Sequence, residues 1–159
     1  NSKKAIELVE TKVLPHFNFL RMTSLAVGKD WNKASPEQKK RLAKEFETLL
    51  VRTYSNALTA YKSQTIVYKP LKMQPGDTDV LVRTEIRQPG QQAVQLDYGV
   101  EKQDNGAWKV YDVVVAGISL VTNYRETFAQ EVRNGGIDGL ITTLADKNKQ
   151  VDAKNEKKS

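Results

Sequence analysis

The chain contains no cysteine and a single histidine, His16, among its 159 residues. These absences exclude disulfide scaffolds, thiolate nucleophiles, cysteine-based zinc sites and any centre that needs two imidazoles. No metal and no organic cofactor is expected. A lack of cysteine is compatible with an oxidising compartment, although many cytosolic chains share it. Long apolar runs are also missing. The longest, Val113 to Ala116, is far short of the roughly 20 residues that a membrane-spanning helix needs, so a soluble, compact chain is expected. There is no initiator methionine and no signal-peptide pattern. The first residues read like the middle of a helix, which suggests a mature or trimmed chain.

What is present suffices for one core. Apolar residues make up 39% of the chain, and a domain of this length buries roughly 70% of its unfolded surface. The 25 Lys and Arg against 19 Asp and Glu leave +6. Residues 147–159 hold five lysines and two acids, so +3 lies there and the remaining 20 bases and 17 acids carry +3. That is no polyanion footprint, and no glycine-rich phosphate loop, RNP-like aromatic run or zinc spacing supports a nucleic-acid partner. The expected organisation is one domain over residues 1–146 and a polar, lysine-rich tail over 147–159, solvated or a frayed helix.

Helical periodicity, then strand periodicity, then helical periodicity again argues for an α+β fold. Ala5, Ile6, Val9 and Val13 fit one helix ended or kinked by Pro15. Phe17, Leu20 and Leu25 fit a second, with Gly28 as a left-handed cap. Ser35, Pro36 and Gln38 form a capping-box signature for a long helix from Pro36 to Lys62. From Thr65 the period becomes two. Val80, Val82, Thr84 and Ile86, then Val94, Leu96, Tyr98 and Val100, alternate with polar residues, and Pro75-Gly76, Pro89-Gly90 and Asn105-Gly106 mark turns. The reading is a four-stranded antiparallel meander. Ser119 can cap a helix closed by Gly135-Gly136, and a last helix places Ile137, Leu140, Ile141 and Leu144 inward. His16 reads as a helix-start polar residue.

The stretch WKVYDVVVAGISLVTNYR, Trp108 to Arg125, resembles the signature of the toluene-tolerance family, the periplasmic phospholipid-binding component of the Mla (maintenance of lipid asymmetry) pathway. Residues Arg21 to Tyr61 match it as well, and the resemblance covers roughly His16 to Asp146. The positions that match are Trp31, Ser35, Pro36, Tyr54, Tyr98, Trp108, Asp112, Gly117, Ser119, Asn123, Tyr124, Arg125 and Phe128. What the resemblance implies is a monomeric, periplasmic lipid shuttle, not an enzyme. Its fold would be a curved, nuclear-transport-factor-2-like sheet of four strands under about five to seven helices, enclosing an apolar cavity. Its cargo would be a diacyl phospholipid, held by the acyl chains. Its partners would be an outer-membrane lipoprotein–porin complex and an inner-membrane ABC transporter with a lipid-binding ring subunit.

Such a cargo needs enclosure, because two chains of roughly 30 methylenes together represent on the order of 24 kcal/mol of transfer free energy. Candidate cavity residues are Phe46, Leu49 and Tyr54 from the long helix; Tyr68, Val82, Leu96, Tyr98, Val100, Val110 and Val114 from strands; and Ile118, Leu120, Tyr124, Phe128, Leu140 and Leu144 from the end. Arg83 and Arg125 are candidates for a phosphate at the mouth. The competing reading puts Arg83 and Arg87 on a solvated sheet face and pairs Arg125 with Asp112. Weak headgroup selectivity is expected. The enzymatic alternative is an isomerase or dehydratase using Asp97 with Tyr98, or Tyr111 with Asp112. Strand alternation disfavours both pairs, because neighbours point to opposite faces. Asp77 and Asp79 read as a plain turn rather than a cation site.

Overall fold

The computed structural model of the protein describes residue 4, residue 7, residues 9–59 and residues 65–158, the side chains of Val9, of residues 54–59 and of residues 152–158 excepted. Ala5 and Ile6 of the first expected helix therefore lie outside the described residues. What is described there is a π-turn over Val9–Val13 that tightens into a 3-10 turn over Leu14–His16, with Pro15 in the turn and His16 exposed at its end. His16 thus closes a turn and does not start a helix.

Helix α1 spans Phe19–Val27. The Asn18 side chain accepts from the Arg21 N–H at 3.1 Å, and Gly28 ends the helix at φ 77° while its N–H donates to the Ser24 carbonyl. A 3-10 segment, Gly28–Lys33, leads to α2, Pro36–Thr59. The capping box forms as its residues dictate: Gln38 N–H donates to Ser35 Oγ at 3.1 Å, and Ser35 N–H donates to Gln38 Oε1 at 2.9 Å. Residues 60–62, the expected end of this helix, lie outside the described set.

The sheet is antiparallel and runs in chain order: β1 (Thr65–Tyr68), β2 (Asp79–Arg87), β3 (Val94–Lys102), β4 (Trp108–Val115) and β5 (Ile118–Ser119). The expectation of four strands is corrected to five. The tight turn at Ala116-Gly117 returns two residues to pair with Val114 and Val115. Between β3 and β4 the register slips at Gly99/Val100. Val100 faces Val110 and Gly99 faces Asp112, so Tyr111 is an extra residue in β4. Such a bulge reverses the phase of alternation beyond it.

A short helix α3, Leu120–Asn123, is capped by Ser119, whose Oγ accepts from Thr122 N–H at 3.1 Å. Helix α4 then runs from Arg125 to Lys158 with a break of helical geometry at Gly136, φ 72°. The two C-terminal helices expected on either side of Gly135-Gly136 are thus the halves of one kinked element. The described residues contain four α-helices, fewer than the five to seven expected. The second half of α4 lies alongside α2 in the same direction, joined at Gln38 Nε2 to Asp138 (3.0 Å) and at Asn148 Nδ2 to the Glu45 carbonyl (3.0 Å) and carboxylate (2.7 Å).

Candidate functional site

The buried apolar cluster of the described residues is built from helices and the turn into them. Met22, Ala26 and Val27 of α1, Leu42, Phe46, Leu49 and Leu50 of α2, Val121 of α3 and Phe128, Leu140 and Leu144 of α4 form it. At its centre Phe46 meets Tyr124 and Phe128 edge-on, both at 5.3 Å between ring centroids. Edge-to-face packing of this kind favours a single arrangement of rings. Among the apolar side chains of the described strands, half-buried Tyr111 is the one that packs against this cluster.

The strands nonetheless carry a continuous apolar face. Pairing places Val80 beside Val100, Val82 beside Tyr98, Thr84 beside Leu96 and Ile86 beside Val94; Ile66 and Tyr68 of β1 join next to Ile86 and Thr84, and Val110, Val113 and Val115 of β4 join on the other side. Thr84 belongs there because its hydroxyl donates to the Leu96 carbonyl at 2.6 Å, which leaves its methyl group as the apolar part. Burial varies across the face. Val80, Thr84 and Val113 are buried, whereas Val82, Leu96, Tyr98, Val100 and Val110 are half-buried and Tyr68 is 72% exposed. Burial, and to a lesser extent Tyr68, pushes the Tyr98 hydroxyl pKa up, so it stays neutral on this surface.

The opposite face is polar: Asp79, Arg83, Glu85 and Arg87 on β2, Gln95, Asp97 and Glu101 on β3. Arg87 Nε pairs with Glu85 Oε1 at 3.2 Å, and Arg83 is exposed opposite Asp97. Tyr111 lies over this face, reaching across Gly99 to donate to Asp79 Oδ1 at 2.7 Å. Burial, then the Asp79 hydrogen bond, pushes its hydroxyl up to about 12.

The sixteen apolar candidates therefore separate. Tyr68, Val82, Leu96, Tyr98, Val100 and Val110 share the apolar sheet face. Phe46, Leu49, Phe128, Leu140 and Leu144 are buried in the helical cluster, with Tyr124 packed against it. Val114 stands on the polar face opposite Asp97: the bulge at Tyr111 reverses the alternation that pointed it inward beside Val110. Ile118 is 60% exposed on β5 and Leu120 is half-buried at the start of α3. The Tyr54 side chain lies outside the described residues. Val113 and Val115 join the face unannounced by sequence parity, since only the bulge brings them round.

The charged expectations are redistributed too. Arg125 does not pair with Asp112. Its Nε and terminal nitrogen both donate to the Leu25 carbonyl, at 3.1 and 2.9 Å, clamping α4 to α1. Asp112 instead accepts from Ser119 Oγ at 2.7 Å and from Val121 N–H at 3.3 Å, holding the turn into α3. Asp97 and Tyr98 point to opposite faces, as alternation requires. Tyr111 and Asp112 do share a face because of the bulge, but the phenol is taken by Asp79. Asp77 closes its own turn by accepting from Gln74 N–H at 2.8 Å. Among the described residues no three His, Cys, Asp or Glu side chains gather to hold a metal, and no helix is long and apolar enough to cross a membrane.

The geometry defines an α+β protein in which a helical core and an apolar sheet face are separate surfaces. Comparison with known proteins gives the particular family. Residues 1–146 match the family described as MlaC protein, and the chain belongs to that family. It is 31% identical over 139 residues to the intermembrane phospholipid transport system binding protein MlaC of Haemophilus influenzae, covering 86% of this chain and 65% of the relative. It is 30% identical over 140 residues to the toluene tolerance protein ttg2D of Pseudomonas putida, covering 84% of this chain and 64% of the relative. The chain therefore spans just under two thirds of the length of these two relatives. A phospholipid-binding protein from Ralstonia solanacearum, solved in complex with a phospholipid, superposes with a TM-score of 0.88 at 41% identity, over 95% of this chain and 84% of that one.

Proposed function

We propose that this chain is a periplasmic phospholipid carrier that receives the acyl chains against the apolar face of its sheet and moves the lipid between membrane complexes. The observation that carries the reading is the division just described. The helices complete a buried cluster of their own, and the sheet still presents Val82, Leu96, Tyr98, Val100 and Val110, half-buried, on a face with no charged residue between them. An apolar wall outside the core suits a ligand whose burial is driven by its methylenes, each contributing about 0.8 kcal/mol. The phospholipid held by the Ralstonia solanacearum relative, 41% identical, supports the same cargo.

On this reading the headgroup stays near solvent and is selected weakly. Arg83 and Arg87 lie on the other side of the sheet, and the Arg125 guanidinium already serves the Leu25 carbonyl. The chain acts by binding and release, not by catalysis. It works as a monomer, with an outer-membrane lipoprotein–porin complex and an inner-membrane ABC transporter with its ring subunit as donor and acceptor. Native mass spectrometry of protein purified from bacteria should find phospholipid in near-stoichiometric amount. A protein that is empty, and that also takes up no lipid from vesicles, would refute the proposal.

A further inference from the structure

We infer that residues 68–73 are a membrane-contacting element that seats the β1 edge of the apolar face on an anionic lipid surface. Three large apolar side chains stand out into solvent within these six residues: Tyr68 at 72%, Leu71 at 51% and Met73 at 46% exposure. Two lysines, Lys69 and Lys72, alternate with them, and no acidic residue occurs between Val67 and Gly76. Neither lysine has an ion-pair partner among the described residues.

The segment is held at both ends. Lys69 N–H donates to the Arg83 carbonyl at 3.0 Å, and Gln74 and Asp77 close the far end through a pair of hydrogen bonds at 2.8 and 3.1 Å. The outward apolar side chains are thus presented by an anchored loop. Apolar side chains interleaved with lysines suit the boundary between headgroups and acyl chains, where the apolar tips enter the hydrocarbon edge and the ammonium groups reach anionic phosphates. Tyr68 also belongs to the apolar sheet face, next to Thr84 and close to Tyr98. The element that would touch the membrane is therefore continuous with the wall that would take the lipid. This inference rests on the carrier reading, and its experiment separates the two.

The full chain is mixed with vesicles of phosphatidylcholine alone and with vesicles containing roughly one third phosphatidylglycerol, and bound protein is measured by co-sedimentation at low and at physiological salt. The wild type should bind the anionic vesicles, less so as salt rises. L71D/M73D should lower binding at least about tenfold. K69E/K72E should remove the preference for anionic vesicles. Both variants should keep their co-purified phospholipid and unfolding midpoint; if the aspartates unfold the protein, L71S/M73S replaces them with the same expected loss. Equal binding by the wild type and both folded variants overturns the inference, as does no binding by the wild type at low salt. Self-association abolished by L71D/M73D in a protein that ignores vesicles also overturns it, in favour of a second copy. A wild type that binds vesicles through these residues yet carries no phospholipid upholds the inference and sinks the carrier reading. The converse result sinks the inference alone.

Discussion

Tyr111 rests its ring on Gly99 of the neighbouring strand: a β-carbon at position 99 would stand 2.9 Å from Tyr111 Cζ. The ring cannot easily move aside, because its hydroxyl is tied to Asp79 on the next strand at 2.7 Å. Gly99→Ala should therefore destabilise the protein by about 1–3 kcal/mol, the usual cost of overpacking. In a Tyr111→Ser background the same change should cost far less, since the opposing ring is gone. Urea unfolding of the four proteins of this cycle measures the coupling. Additive effects would mean that the ring does not exclude a side chain at 99.

The same phenol makes a pH prediction. Its pKa is about 12 in the folded protein against an ordinary 10.0. A raised folded value favours the protonated form, so its contribution is fully present below pH 10 and is lost as pH rises towards 12. Tyr98, also shifted up by burial, acts in the same direction. Tyr111→Phe should therefore flatten part, not all, of the fall in stability between pH 10 and 12. Chemical denaturation at a series of alkaline pH values gives the slope, and identical slopes would exclude this role.

Wall and core should respond to different assays. Trp at Leu96 or Val100, on the apolar sheet face, should reduce co-purified phospholipid by half or more by native mass spectrometry, at a stability cost of no more than about 3 kcal/mol. Trp at Val114, on the polar face, should leave the lipid content alone. Phe46→Ala should cost about 3–5 kcal/mol by opening a cavity in the helical cluster, while the protein that remains folded keeps its lipid. Equal lipid loss at Val100 and Val114 would show that the faces are not functionally distinct.

A fourth test concerns the helix beyond the kink. Asn148 is buried, and its amide donates to both the carbonyl and the carboxylate of Glu45. Asn148→Asp would remove the donor and set two carboxylates together, at a cost of roughly 3–5 kcal/mol. Adding Glu45→Gln should restore a large part, because the amide then supplies the missing donor. Thermal unfolding of the two single variants and the double variant decides it. Failure of Glu45→Gln to help would mean the loss is steric.

The elements that local chemistry specifies were legible in the chain. Ser35 and Gln38 mark the start of α2, Gly28 the end of α1, and the alternation from Val80 to Ile86 and from Val94 to Val100 gives two strands and their common face. What was not legible depends on partners distant in sequence. Nothing near Arg125 announces the Leu25 carbonyl, 100 residues away. The two-residue β5 is too short to show a period. Apolar residues look alike in sequence whether they fill a cluster of helices or stand on a sheet face, so Phe46 and Phe128 could not be told from Leu96 and Val100. Alternation also misplaced Val114, because an extra residue in a strand leaves no mark on the pattern of side-chain types.

That extra residue makes β4 the splice of two half-strands of opposite phase. Trp108 and Val110 face the apolar side by even number, Val113 and Val115 by odd number, and Tyr111 absorbs the difference. Deleting Tyr111 would act within the fold as a second, compensating frameshift acts within a gene: Val110 and Asp112 would become neighbours in unbroken alternation, the pairs on either side would keep their partners, and Val113 and Val115 would stay on the apolar side. What the extra residue adds is local: the phenol laid on Gly99 and tied to Asp79.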